Sequence, residues 1–375
     1  MLEKGQIVGG RYQIEGLLGE GGMATVYRAT HTGTRKACAI KLLKKQVLAR
    51  AALAEMFVRE AQVGATIGEN PYIIDVFDAA VDEALGVPFL AMPLLPGKTL
   101  EQEILDRGAL PAEQVRAVFR QLGRALDQAH GAGVVHRDLK PSNIFVTSDH
   151  DGGLQIKILD FGIAKVVETA ATHTATDIGT PAYAAPEQLA PMFKQLAAQM
   201  GVTVGKTIST ATDVWPLGLI AYECLTGAAP GQIWKITSSQ ELPIRVLGAT
   251  PVPSVEAGPA AQALPAGFDA WFARCLDRDP AGRFPSAREA CDALASLLGG
   301  QSARPLPRPA SLVATSLGLQ TFAGASAPAS LPSSFALPRT GGTLSPLTTL
   351  GQSLGTHVPV ARTAPPSAAP DRSRW

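Results

Sequence analysis

The chain has 375 residues, 33 Lys and Arg against 32 Asp and Glu, a formal net charge of +1, and 46% hydrophobic residues. That apolar content suffices for a buried core and excludes a wholly disordered chain. The balanced charge supplies no basic field for nucleic acid or a membrane surface. Cys38, Cys224, Cys275 and Cys291 lie far apart, with no CxxC pair. This spacing argues against a zinc site or a disulfide framework and fits a reducing cytoplasm.

The first residues carry no apolar stretch of the signal-peptide kind, and no run approaches the roughly 18 apolar residues of a transmembrane helix, so neither is expected. Strand-like runs follow at residues 11–18, 25–30, 36–43, 73–79 and 89–92, interrupted by a helix-like run at 49–67. The period then becomes helical, at 100–107, 111–132, 212–225, 267–277 and 286–297. From residue 299 the composition turns to Pro, Ser, Thr, Ala and Gly, with six arginines against one aspartate. Such a segment cannot offset its ordering entropy and reads as a disordered tail. The chain thus divides into a strand-rich lobe at 11–95, a helix-rich lobe at 96–298 and a tail at 299–375. The fold class is α+β, with a cleft expected between the lobes. In the tail, Pro305, Pro307 and Pro309 could serve as an extended partner-binding segment, although a free tail is the simpler reading.

Three motifs carry chemistry. The first is Leu18-Gly19-Glu20-Gly21-Gly22-Met23-Ala24-Thr25-Val26-Tyr27. Glycines let backbone N–H groups approach phosphate oxygens with no Cβ in the way. An ordinary hairpin turn is the plain alternative. A dinucleotide-binding loop would open a helix, whereas these glycines run into β-branched and aromatic residues that read as a strand. The second is Cys38-Ala39-Ile40-Lys41. A Lys in an apolar strand is costly unless its ammonium finds an anion, and Glu60 on the helix-like run is a candidate partner. An edge-strand Lys pointing to water is the alternative.

The third motif decides the reading. In His136-Arg137-Asp138-Leu139-Lys140-Pro141-Ser142-Asn143 a short polar loop offers a carboxylate to accept a hydroxyl proton, an ammonium to neutralise a phosphoryl group and an amide oxygen for a metal. Ile156-Lys157-Ile158-Leu159-Asp160-Phe161-Gly162 then reads as a strand ending in a second metal-competent carboxylate. Together these strings resemble the protein kinases, specifically the eukaryotic-like (Hanks-type) Ser/Thr kinases of bacteria. Gly179-Thr180-Pro181-Ala182-Tyr183-Ala184-Ala185-Pro186-Glu187, Asp213-Val214-Trp215 and Asp279-Pro280-Ala281-Gly282-Arg283-Phe284 extend the resemblance over about residues 11–298.

The resemblance implies a bi-lobal protein kinase fold, ATP with Mg²⁺ or Mn²⁺, and protein substrates bearing Ser or Thr hydroxyls. It implies Leu18, Gly19, Gly21, Gly22, Val26, Ala39, Met92, Leu95 and Phe145 around the nucleotide, with the backbone of Pro93 and Leu95 on the adenine edge. Lys41 would contact phosphates, held by Glu60. Asp138 would be the catalytic base, with Lys140 and Thr180 beside it, and Asn143 and Asp160 would bind the metal. Glu187 would pair with Arg283, and Asp213 would brace the catalytic loop. Autophosphorylation is expected at Thr169, Thr172, Thr174 or Thr176, where a phosphate can pair with Arg137. A homodimer would serve trans-autophosphorylation.

Three departures stand out: Ala24 replaces a third glycine, Pro93 an acidic hinge residue, and Pro216 a small residue near a helix start. In addition, 26 positions separate Glu187 from Asp213, about twice what the resemblance implies, which puts an extra segment at about 190–207. The rival readings are a pseudokinase scaffold or binding module, which the intact residue set weakens, and a small-molecule phosphotransferase, which the docking-loop string Gly179–Glu187 argues against.

Overall fold

The computed structural model describes residues 1–299, apart from 23, 46–63, 150, 162–180, 190, 206, 230, 237–240 and 249. Of the expected helix at 49–67, residues 64–67 are helical and the rest lies outside the described residues, as does the tail beyond Gly299.

The N-terminal part is an antiparallel sheet because its runs alternate. In β2 (Tyr12–Glu20), Tyr12 and Ile14 are buried while Gln13 is exposed, the two-residue period of a half-buried strand. Its register against β3 (Ala24–His31) shifts between Ile14 and Gly16 and again between Leu17 and Gly19. With β1 (Ile7–Val8), β4 (Ala37–Leu43), β5 (Asp78–Asp82) and β6 (Val87–Pro93), the strand order is β1-β2-β3-β4-β6-β5. Every residue of β6 from Val87 to Met92 is buried, since it lies inside the sheet with both faces covered.

The run at 73–79 is not one strand. Ile73 forms a bridge with Ile158, and the N–H of Ile74 donates to the Ile158 carbonyl at 3.0 Å. Pairing with β6 starts only where the Phe77 N–H reaches Ala91 O at 3.1 Å. Its apolar head thus leaves the sheet and pairs with the helical part.

The helical part begins after β7 (Lys98–Thr99) with α1 (Leu100–Arg107), whose N-cap Thr99 accepts from the Gln102 N–H in a reciprocal capping box. In α2 (Ala112–Gly131), Val115, Val118, Phe119, Leu122, Leu126 and Ala129 form one buried stripe. A three-stranded sheet of β7, β8 (Ile144–Ser148) and β9 (Leu154–Ile158) carries the polar motifs. α3 (Pro191–Gln199) occupies the first half of the extra segment, which therefore holds a helix. α4 (Val214–Thr226) is buried on all sides from Val214 to Leu225, the pattern of a helix inside a core. Pro216 falls in its first turn, where the N–H it lacks would have no intrahelical partner. α5 (Leu242–Leu247) packs against α3, and around α4 pack α6 (Phe268–Cys275) and α7 (Ala287–Gly299). A Cβ on Gly123 of α2 would lie 2.9 Å from the Cβ of Cys291 on α7, so glycine permits this approach. All four cysteines are buried and free, and burial raises the Cys38 thiol to about 11. Cys38 is therefore a small core residue. No helix among the described residues is long and apolar enough to cross a membrane.

Candidate active site

The hairpin joining β2 to β3 closes through the Gly21 N–H on Ala24 O at 2.9 Å, and Gly19 pairs with Val26 in the ladder. Leu18 on this hairpin is half-exposed. In the next strands Val26 lies opposite Lys41, and Ala39 opposite Met92. These alternations gather Ala39, Met92, Val26 and Leu95 into one apolar cluster with Leu159, Leu90 and Ile74. Four of the expected nucleotide-pocket residues are thus together. Leu159, just before Asp160, joins them although the motif reading had not singled it out. Phe145 sits on β8 opposite Thr99 and Lys157. Gly97, at φ +123°, passes so close to β8 that a Cβ there would lie 2.1 Å from Val146 O and 3.2 Å from the Phe145 ring. The chain leaving β6 therefore needs glycine here.

Lys41 reaches across from the sheet. Its Nζ lies 2.8 Å from Asp160 Oδ1, with only 12% of the Lys41 side chain exposed. Asp160 follows β9 with φ +48°, a left-handed conformation that Asp tolerates better than most residues. Glu60, Thr180, Thr169, Thr172, Thr174 and Thr176 lie outside the described residues.

The loop from His136 to Asn143 is held from below. Asp213 is fully buried at the start of α4, yet its carboxylate does not cap that helix. It accepts the His136 N–H at 2.7 Å, the Arg137 N–H at 2.8 Å and lies 2.8 Å from His130 Nε2. Burial lowers the pKa of His136 and keeps its ring neutral. Neutral imidazole can accept the Asp138 N–H at Nδ1, at 3.2 Å, while Nε2–H donates to Leu159 O at 3.0 Å. The same ring packs on Phe161 at 4.7 Å between centroids. Arg137 stands at φ +65°, and such strain persists only where the surroundings over-determine it.

Above this frame Asp138 Oδ2 accepts Lys140 Nζ at 2.9 Å and Asn143 Nδ2 at 3.1 Å. Asn143 Nδ2 also donates to the Asp138 carbonyl at 2.8 Å. Because a carbonyl only accepts, this bond fixes the amide and turns Asn143 Oδ1 into the atom that faces away from Asp138 as an acceptor. With the Asp160 carboxylate that makes two hard oxygen donors, a set that fits a divalent cation of the Mg²⁺ kind. Farther down, Arg283 meets Glu187 in a fork of 2.8 and 2.9 Å with both side chains fully buried. Arg283 also donates to Ala211 O and Asp277 O, and Thr212 Oγ1 donates to Glu187. The expected brace and the expected ion pair are both present.

Residues 12–294 match the family model described as protein kinase domain. The chain belongs to that family. Among curated relatives, serine/threonine-protein kinase pkn3 of Myxococcus xanthus is 32% identical over 291 residues, 76% of this chain and 49% of the relative. Serine/threonine-protein kinase PknH of Mycobacterium bovis is 32% identical over 280 residues, 74% of this chain and 42% of the relative. The chain spans less than half the length of these relatives. Among solved structures, the PknI kinase domain of Mycobacterium tuberculosis is 28% identical with a TM-score of 0.58, covering 79% of this chain and all of that one. The protein kinase fold, with its sheet-rich first lobe and helical second lobe, is the one the motifs implied.

One residue of this kinase site escaped the motif reading altogether. Gln188 directly follows the Ala185-Pro186-Glu187 string. Its Nε2 donates to Arg137 O at 2.7 Å, and its Oε1 accepts the Ala185 N–H at 3.0 Å. The sequence signal was there: an amide donor and acceptor, one place beyond a recognised string.

Proposed function

We propose that the protein transfers the γ-phosphoryl group of ATP to Ser or Thr hydroxyls of proteins. The observation that carries this reading is the Asp138 carboxylate held between Lys140 and Asn143 on a buried frame. In this reading Asp138 orients the substrate hydroxyl and accepts its proton, and Lys140 offsets charge on the moving phosphoryl group. Lys41 presents an ammonium to the nucleotide phosphates. Val26, Ala39, Met92 and Leu95 enclose the base, and the glycines of the first hairpin cover the phosphates. Asn143 and Asp160 would hold Mg²⁺ or Mn²⁺, which neutralises phosphate charge when bound. Catalysis is then mainly positioning and electrostatic stabilisation. The four buried thiols support a cytoplasmic setting. We extend the reading to autophosphorylation between Asp160 and Glu187, in trans within a homodimer.

The test incubates the full chain with ATP and Mg²⁺ and a generic protein substrate, beside Asp138→Asn and Lys41→Met. Both variants should keep the fold and lose phosphoryl transfer by about a hundredfold or more, on the scale of removing one transition-state contact. Mass spectrometry of the same mixtures should find phosphate on Thr169, Thr172, Thr174 or Thr176 in the wild type alone. Wild-type protein that binds ATP and transfers nothing would return the chain to the scaffold reading.

A further inference from the structure

Arg137 and Asp138 share one peptide group, and that group is fixed at both ends. Its N–H, on Asp138, donates to His136 Nδ1 at 3.2 Å. Its carbonyl, on Arg137, accepts from Gln188 Nε2 at 2.7 Å. The plane of this peptide sets the direction in which the Asp138 side chain leaves the backbone. Arg137 is left-handed at φ +65° without being glycine, so the plane does not rest where local preference would put it. The Arg137 N–H is tied to Asp213, which leaves the carbonyl side dependent on Gln188.

Gln188 belongs to a different segment. It closes the short turn Pro186–Gln188, and its own N–H donates to Ala185 O at 2.9 Å while its Oε1 takes the Ala185 N–H. The turn follows Pro181–Tyr183, packed into the core through Ala182 and Tyr183. One amide therefore joins this segment to the peptide that aims Asp138. A carbonyl can only accept and a backbone N–H can only donate, so the side chain at 188 must supply one donor and one acceptor at this length. Glutamate at neutral pH has no donor, asparagine is one methylene short, and methionine has the length with neither bond.

We propose that Gln188 is a positioning residue for Asp138: it couples the Pro181–Gln188 segment to the orientation of the base. The proposal rests on the phosphotransferase reading above. It touches neither nucleotide nor hydroxyl and acts only through the Arg137–Asp138 peptide.

The experiment measures kcat and KM for ATP with the full chain, together with thermal unfolding, for wild type, Gln188→Met and Gln188→Glu across about pH 5 to 8, a range that reaches toward the ordinary glutamate pKa. The expected result is a kcat about 10- to 100-fold below wild type for Gln188→Met, the scale of one misplaced catalytic contact. KM for ATP should stay near wild type, and the unfolding temperature should fall by only the few degrees that two lost hydrogen bonds cost. Gln188→Glu keeps the acceptor for Ala185 and loses the donor at high pH. Its activity relative to wild type should rise as pH falls, because the protonated carboxyl can donate to Arg137 O again. A purely structural role predicts parallel losses in unfolding temperature and ATP KM, and no pH-dependent recovery. Folded Gln188→Met with wild-type kcat, or a Gln188→Glu ratio flat in pH, overturns the proposal. Should Gln188→Met not fold, the pH ratio of Gln188→Glu decides alone. An inactive wild type overturns the kinase reading and this proposal together, whereas an active wild type with unaffected variants overturns only this one.

Discussion

The two loops that bear the polar chemistry are built in opposite ways. The hairpin between β2 and β3 is held by its own Gly21–Ala24 bond and by an ion pair at its tip, Lys44 Nζ to Glu20 Oε1 at 2.6 Å, with side chains 24% and 46% exposed. Leu17 and Leu18 beside it stay half in water. The loop His136–Asn143 instead rests on Asp213 and His136, both fully buried, with the Glu187–Arg283 fork farther down in the same lobe. In the proposed reading the hairpin covers phosphates, and such a cover gains from adjusting to its ligand. A base and its partners gain from being aimed before the ligand arrives, because reorganisation during the reaction is what preorganised sites avoid. The contrast is thus between a loop fixed by exposed charge and one fixed by buried, paired charge.

The sharpest way to break that contrast is to unpair the buried fork. Arg283→Met leaves Glu187 buried with Thr212 as its remaining donor and strips the Ala211 and Asp277 carbonyls of theirs. Removing one partner of a buried pair costs about 3–5 kcal/mol, which urea unfolding should show as a lower midpoint with an unchanged slope. Glu187→Met with Arg283→Met should recover part of the loss, since the uncompensated charge is gone. A single variant no worse than a surface substitution would mean that this lobe does not depend on paired burial.

Most of this frame could be read before any coordinates. Helix α1 ends where its period ends, and the Asp138, Asn143 and Asp160 strings name their own chemistry. Reading failed where a residue's partner lies far along the chain. Ile73 and Ile74 look like the head of a strand, and only the presence of β9 diverts them. Gln188 looks like an ordinary polar residue, and only the approach of Arg137 gives it work. The helix α3 was legible in principle: Pro191 opens it and Gly201, at φ +69°, follows its end. Spacing alone shows the length of the extra segment and not its helix.

A milder perturbation uses pH. Glu223 on α4 is 2% exposed and takes the Tyr183 O–H at 2.6 Å and the Gly231 N–H at 3.0 Å. Burial outweighs these two bonds and, with Glu101 nearby, lifts its pKa to about 7. The native state therefore holds a proton that the unfolded chain releases near pH 4.5, so stability from this group is full below 4.5 and is lost as pH rises through about 7. His136 acts with the opposite sign. Its lowered native pKa costs stability as pH falls below about 6.5, where the unfolded ring takes a proton and the native ring does not. Comparing wild type with Glu223→Gln separates them. The variant should lack the decline between pH 5 and 7.5 and retain the loss on the acid side. Identical pH profiles would mean that Glu223 is ionised throughout.

The smallest effect belongs to the exposed loop and tests the contrast from its other side. Glu20 faces solvent, so breaking the Lys44–Glu20 pair should leave the unfolding free energy nearly unchanged. Its consequence should instead be electrostatic and signed. Lys44 lowers the Glu20 pKa by hydrogen bond and charge, keeping the carboxylate ionised at the hairpin tip. Glu20→Gln leaves the ammonium unopposed near the covered phosphates, so KM for ATP should fall. Lys44→Met leaves the carboxylate unopposed, so KM should rise. Both shifts should be a few-fold at low ionic strength and fade toward wild type as salt approaches about 0.5 M, where the screening length drops below the size of the loop. Equal increases in KM for the two variants, insensitive to salt, would show that the pair is a mechanical latch. The hairpin would then be as firmly preset as the catalytic loop, and the difference between the two would disappear.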